Sequence, residues 1–346
     1  MIFVTGGTGL IGSHLLYQLL LEGRKVKALK RSTSNLQQVL KVFSCYTENP
    51  EQLFNRIEWV TGDILDYFEM ERIVKGVEEV YHCAAIVSFN AADRRQMISN
   101  NVTGTANVVN ASLENGVKKL CHVSSVAALG TNQNGYPIDE QTNWVPSKRV
   151  TAYSESKFFS ETEIWRGIEE GLDAVIVNPS IVLGPGNWNE GSPKLFKTVL
   201  DGLRFYTKGV TGYVDVKDVV RAMILLMEDE NFNRCKNQRY LLNSENWSYQ
   251  KLFNHIADAL NKPRPAYFAS APALGIAWRT AALLNLVSVN KIPVTRETAA
   301  AAGTQNNYDG SKITKTIEFT YLPVADSIKQ TTAFLLSEDK QKIKPS

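Results

Sequence analysis

Long apolar runs are missing from this sequence. No stretch of about eighteen uncharged apolar residues occurs, so no membrane-spanning helix is expected. The nearest approach, "AYFASAPALGIAW" at 266–278, is ended by Arg279. A large charge imbalance is missing too. The formal net charge is +3, and no Lys/Arg stripe is interleaved with aromatics, so nucleic acid is not an expected partner. The four cysteines, Cys45, Cys83, Cys121 and Cys235, contain no CxxC pair. Such scatter fits a reducing compartment and argues against a disulfide framework. The four histidines, His14, His82, His122 and His255, show no ligand spacing, and no metal is assigned. The first residues, "MIFVTGG", enter a strand and its turn at once, so no leader peptide is read and a cytoplasmic location is expected.

What is present is an ordinary globular composition: 44% apolar and 21% charged residues over 346, enough for a large α/β domain and a smaller lobe. Strand-like and helix-like pieces alternate through the first two-thirds. "MIFVTG", "KVKAL", "IEWVTGDI", "VEEVYHCAA", "KKLCHV" and "DAVIVNPSIVLG" read as strands. Helices are expected between them, among them one long helix over 93–115 and another over 153–170. This rhythm predicts a Rossmann-type, doubly wound parallel sheet with helices on both faces. The polar connection 32–56 is expected to be either partly helical or mobile. After about residue 185 the rhythm breaks into loops and isolated helices at 217–229, 248–261 and 272–286. The expected division is a dinucleotide-binding domain over 1–180, with returning segments near 212–243 and 305–320. A substrate lobe then comprises 181–211, 244–304 and a C-terminal helix over 323–340. "RYLLN", 239–243, is expected to rejoin the sheet.

Between the first strand and first helix stands "TGGTGLIG", with Gly6, Gly9 and Gly12 in a G-x-x-G-x-x-G pattern. A tight turn, a close backbone approach to pyrophosphate and close helix–strand packing each require a missing Cβ. The helix start then offers free N–H groups to phosphates. Gly6, Thr8, Gly9, Leu10, Ile11 and Gly12 are the expected phosphate-side contacts. An NAD-preferring fold places an acidic residue about 20 positions further on, for the ribose 2′-hydroxyl. Here the second strand runs into Lys30, Arg31 and Ser32. Cations at that place suit a 2′-phosphate, so NADP(H) is the preferred cofactor and NAD(H) stays open. Asp63 and Ile64 end the third strand, where an adenine edge would lie; Asp63 could instead cap the next helix.

These blocks, with "YHCAA", "NVTGTANVV", "HVSSVAALG", "YSESK", "NPSIVLGPGNW", "GYVDVKDVVRAM" and "YDGSKI" in order, resemble the extended short-chain dehydrogenase/reductase family over nearly the whole chain. The pattern is most similar to its dihydroflavonol-reductase and 3β-hydroxysteroid-dehydrogenase branch. The resemblance implies that Tyr153 is the acid/base, Lys157 its partner and Asn101 the helix asparagine that helps order a water near the lysine. It implies a catalytic serine. Ser125 is preferred to Ser124 because it stands five residues before Gly130, as in the family. Cys83, Ala84, Ala85, Pro179 and Ser180 are implied to border the cofactor, with His82 a further lining residue left open. Family members often pair through the two long helices, so a homodimer also stays open.

Residues four apart on a helix share a face, so Tyr153 and Lys157 can serve one site. A neighbouring ammonium and a positive nicotinamide ring would both draw the phenol below its ordinary ~10. The cofactor would supply hydride to a carbonyl carbon, Tyr153 a proton to its oxygen and Ser125 a hydrogen bond to it, with Lys157 also anchoring ribose hydroxyls. Ser154, Glu155 and Ser156 read as spacers. Trp188, Phe196, Phe205 and Tyr206 suggest an apolar substrate wall. The expectation is therefore an oxidoreductase acting on a lipophilic carbonyl or alcohol. One alternative is a nucleotide-sugar epimerase, for which Lys194, Lys197, Arg204 and Lys208 could hold a diphosphate. Another is a dinucleotide-binding protein without turnover. Sugar dehydratases of the family carry an acidic pair after the catalytic serine. Val126 and Ala127 stand there, so dehydration is not expected.

Overall fold

The computed structural model describes every residue except 89–90, 132–134, 148–149, 271, 277, 281–302 and 344–346. Strand side chains alternate between faces, and the apolar runs seen in the sequence bury both. Ile2 and Val4 of β1 (Ile2–Thr5) enter one core and Phe3 the other. With β1 run β2 (Val26–Lys30), β3 (Glu58–Thr61), β4 (Glu79–His82), β5 (Lys119–Val123), β6 (Ala174–Pro179) and β10 (Gln238–Leu242). They form one seven-stranded parallel sheet in the order β10-β6-β5-β4-β1-β2-β3. The "RYLLN" segment thus rejoins the sheet as its edge, pairing Tyr240 with Val177. This is a Rossmann-like α/β fold.

One face of the sheet is covered by α1 (Leu10–Leu21), α2 (Gln37–Phe43), α3 (Pro50–Phe54) and α9 (Val216–Met227). The other is covered by α4 (Tyr67–Val74), α6 (Gly104–Glu114) and α7 (Ala152–Glu169). The short helices α2 and α3 lie in the polar 32–56 connection, the partly helical of its two alternatives. A third core joins α8 (Pro193–Leu200), α11 (Tyr249–Ala259) and α13 (Val324–Ile343). It packs against a three-stranded sheet of β7 (Ile181–Leu183), β9 (Val210–Asp215) and β11 (Glu245–Ser248). A two-stranded sheet pairs β8 (Phe205–Tyr206) with β12 (Tyr267–Phe268). The remaining helices are α5 (Arg94–Ile98), α10 (Asp229–Cys235) and α12 (Ser311–Thr316). Residues 272–276 and 278–280 are helical; the rest of the expected helix 272–286 lies outside the described residues. No described helix is long and apolar enough to cross a membrane.

Two expected elements differ. The single strand read in "DAVIVNPSIVLG" is two strands in different sheets: Ser180 gives its N–H to the Leu242 carbonyl at 2.9 Å, and Ile181 then pairs with Tyr213 of β9. The single helix over 93–115 is interrupted. A π-helical turn, Ser99–Thr103, separates α5 from α6. Such turns widen the helix by one residue and often serve function. Here the turn carries Asn101.

Candidate active site

The glycine turn behaves as its sequence requires. Gly6 has φ +69°, and a Cβ there would lie 2.6 Å from the backbone of Cys83 and Ala84. A Cβ on Gly12 would come within 2.2 Å of the Gly6 carbonyl oxygen. Gly9 forms the N-cap of α1 without any side-chain cap, so the first amides of the helix keep their donors for another group. Leu10 and Ile11 turn toward the core beneath α1, and Leu10 also meets Gly186. Thr8 is half-buried on the turn. At the end of β2, Lys30 is half-buried while Arg31 and Ser32 are exposed. Among the described residues neither cation forms an ion pair. Asp63 is exposed and its carboxylate accepts from the Leu65 amide at 3.0 Å. The cap of α4 is Asp66, which corrects the alternative read for Asp63. Ile64 is wedged against Gly104 of α6.

The reacting groups expected from the sequence converge at the ends of β4, β5 and β6. Thr151 caps α7 by accepting from the Ser154 amide, which places Tyr153 and Lys157 one turn apart on the helix's inner face. Ser125 caps a 3₁₀ turn over Val126–Ala128, accepting from the Ala127 amide at 3.1 Å, and its hydroxyl is a neighbour of the Tyr153 phenol. Lys157 is buried and donates to the Val123 carbonyl at 3.0 Å. Burial lowers its ammonium to about 8. Burial also pushes the Tyr153 phenol above its ordinary value, and Ser125 opposes the rise, acting to lower the phenol's pKa. This corrects the expectation of a phenol drawn down by its lysine. The ammonium is directed to Val123, and dehydration is the largest influence on the phenol.

Ser124, the competing serine, is committed elsewhere: its hydroxyl donates to the Glu161 carboxylate at 2.6 Å. Asn101 is buried and clamps the loop after β4. Its side chain accepts from the Ile86 amide at 2.7 Å and donates to the Ile86 carbonyl at 2.9 Å and to Ser156 at 3.2 Å. Cys83 and Ala84 are half-buried and Ala85 is exposed on that same loop. Burial raises the Cys83 thiol to about 12, so it stays protonated at neutral pH. Pro179 and Ser180 lie buried at the end of β6. The buried Ser180 hydroxyl and the Asn178 side-chain oxygen meet no partner among the described residues. The bare glycine cradle, the uncapped helix start and these two orphaned groups fit a nicotinamide dinucleotide.

Several residues carry more than the sequence revealed. Ser154, Glu155 and Ser156 are not spacers. Ser154 accepts from the Trp144 indole at 3.0 Å and donates to the Ala127 carbonyl at 2.7 Å. Glu155 pairs with Arg94, and Ser156 receives Asn101. His82 does not line a pocket. It is fully buried, stacked on His122, and joined to Thr5 at 2.7 Å and Thr105 at 3.0 Å. His14 links Tyr46 to the Pro185 carbonyl. The wall expected from four aromatics separates into two pairs. Phe196 is fully buried, and Trp188 is buried against it and bonded to Glu338, so both belong to the lobe's core. Phe205 is 58% exposed and Tyr206 half-buried, facing Tyr267 and Phe268 across β8 and β12. Lys197 is held by Asp201, and Lys208 lies over the Phe268 ring.

Known proteins are similar to this chain. A family model described as the NAD dependent epimerase/dehydratase family matches residues 2–238. A putative dihydroflavonol 4-reductase of Synechocystis sp. is 32% identical over 268 residues, covering 76% of this chain and 73% of that protein. Cinnamoyl-CoA reductase 1 of Petunia hybrida is 30% identical over 238 residues, 66% of this chain and 69% of its own length. The crystal structure of a dTDP-glucose 4,6-dehydratase from Streptomyces venezuelae with NAD bound shares the fold, with a TM-score of 0.76 at 22% identity over 98% of both chains. The chain belongs to the NAD-dependent epimerase/dehydratase family and is an NAD(P)-dependent oxidoreductase of the extended short-chain dehydrogenase/reductase type.

Proposed function

We propose that this protein is an NADP-preferring reductase or dehydrogenase of lipophilic carbonyl or alcohol compounds. The observation that carries this reading is the convergence of Tyr153 and a buried Lys157, one turn apart on α7, with Ser125 beside the phenol. The bound cofactor supplies or accepts the hydride. Tyr153 holds the proton that the substrate oxygen takes up on reduction. Burial favours the protonated phenol, the state a reductase needs at the start of each turnover. Ser125 fixes the substrate oxygen beside that proton. Lys157 holds positive charge behind the phenol, and Asn101 keeps the cofactor-side loop in place.

Lys30 and Arg31 support the NADP preference, since two cations without carboxylate partners suit a phosphate better than a hydroxyl. The relatives named as reductases support a carbonyl substrate, and Phe205 and Tyr206 are the aromatic surface left to meet it. Val126 and Ala127 cannot protonate a leaving hydroxyl, which disfavours dehydration, and Lys197 is already held by Asp201. The test is oxidation of NADPH and of NADH in the presence of aldehydes and ketones of graded size, beside incubation with UDP-sugars. NADPH consumption rising with the apolar surface of the carbonyl compound supports the reading. Epimerised sugar without net cofactor change overturns it.

A further inference from the structure

Resting on that reading, we propose that Glu161 is a positioning residue: it holds Ser124 and Asn178 against the helix that carries Tyr153 and Lys157, and supplies the fixed anion that keeps Lys157 a cation. Tyr153, Lys157 and Glu161 stand at successive four-residue steps on α7. Each step rises about 6 Å along the helix, so Glu161 lies one turn deeper than Lys157 on the same face. It is 2% exposed, and a carboxylate buried so far must be paired and hydrogen-bonded.

Its partners come from the end of β5, from β6 and β10, and from α7 itself. One oxygen accepts from Ser124 at 2.6 Å and from the Asn178 amide at 2.7 Å. The other accepts from Arg239 at 3.1 Å and the Trp165 indole at 3.3 Å. The Asn178 amide also donates to the Ser125 carbonyl at 3.1 Å. Ser124 immediately precedes the serine that meets Tyr153, and Asn178 immediately precedes Pro179. One carboxylate therefore sets the ends of β5 and β6 against α7, with Arg239 of β10 as its counter-charge. The groups that face Lys157 are His82 and Cys83 from β4 and its following loop, His122 from β5, and Glu161 from its own helix. The two imidazoles are held neutral by burial and the Cys83 thiol stays protonated. Cys83 and then Glu161 oppose the burial that pulls Lys157 down to about 8; with the thiol protonated at neutral pH, Glu161 is the anion that remains.

The experiment titrates the protein with NADPH and NADH by fluorescence between about pH 6.5 and 10, on the unaltered chain and on Glu161→Gln. Lys157 anchors the cofactor only while protonated, so nucleotide affinity of the unaltered protein falls as pH rises past about 8. In Glu161→Gln the midpoint of that fall moves down by about 1 pH unit, the size of a single close opposite charge. Affinity at pH 6.5 stays within about two-fold, which a loss of packing alone does not produce. Should Glu161→Gln not fold, Arg239→Gln takes its place. Loss of that cation leaves the Glu161 carboxylate facing Lys157 without its counter-charge, so the midpoint moves up instead of down. An unmoved midpoint overturns this proposal alone. Failure of the unaltered protein to bind either nucleotide overturns the functional reading and this proposal with it.

Discussion

The Nε2 atom of His82 lies 3.0 Å from the Thr105 hydroxyl, and the single Thr105 proton already goes to the Asn101 carbonyl at 2.6 Å. His82 must therefore donate from Nε2 and accept at Nδ1. The Thr5 hydroxyl, 2.7 Å away, gives its proton to Nδ1 and accepts from the Ala84 amide at 3.3 Å. Every proton in this chain has one direction, running from the loop after β4 to the π-helical turn. Asn101 then returns to the same loop through Ile86.

Breaking that chain at Thr105 should loosen the loop proposed to border the cofactor. Thr105→Val keeps the shape and strands the His82 proton, at a cost of about 1–3 kcal/mol. NADPH affinity, read by fluorescence titration, should fall about 5- to 10-fold, with Thr105→Ser near the original value. Equal affinity in the valine variant contradicts this role.

Gly12 should tolerate nothing larger. In Gly12→Ala the added Cβ meets the Gly6 carbonyl, so the turn must open. Overpacking of this kind costs about 1–3 kcal/mol. The expected result is a Tm lowered by several degrees in calorimetry, together with loss of most nucleotide affinity. An alanine variant with normal Tm and affinity refutes the close approach.

Buried neutral histidines give the fold an acid-sensitive term. Burial lowers His14 to about 4, against about 6.5 when unfolded. Between those values the unfolded chain binds the extra proton. The stability from neutral His14 is complete above about pH 6.5 and is lost as pH falls toward 4, amounting to about 2 kcal/mol by pH 5. Asp215 and Asp218, raised by burial, act in the opposite sense, so the comparison belongs within one position. The drop in Tm between pH 7.5 and pH 5 should be smaller in His14→Asn than in the unaltered chain. An identical drop would show that His14 protonates freely in the fold.

The two aromatic pairs should separate in experiment. Phe196→Ala empties a fully buried site and should cost about 3–5 kcal/mol, seen as a large fall in Tm. Tyr206→Ala should leave Tm within a few degrees and change KM for a lipophilic carbonyl substrate. The reverse pattern would return Phe196 to the substrate wall.

The order of strands and helices was legible because each rests on local period and turn chemistry, and so does the glycine turn of "TGGTGLIG"; the role expected of "YSESK" came through the family resemblance. What was hidden is non-local. Glu161 and Arg239 stand 78 residues apart, and nothing in either segment announces the other. Phe196 and Phe205 are equally apolar in sequence; a position facing α11 and another at a two-residue strand edge decide which is buried. The π-helical turn at Asn101 follows from contacts with Ile86 and Ser156, which helical periodicity does not record. Ser125 could be chosen over Ser124 from its distance to Gly130 through the family resemblance, whereas the physical difference between them is the carboxylate that holds Ser124.

The central claim is that the Tyr153 hydroxyl passes the proton while hydride moves. The direct measurement compares Tyr153→Phe with the unaltered protein, following NADPH consumption with the best carbonyl substrate and NADPH affinity side by side. The account predicts that turnover falls by about 10²- to 10⁴-fold while the affinity stays within a few-fold. Turnover at the unaltered rate in Tyr153→Phe would contradict it.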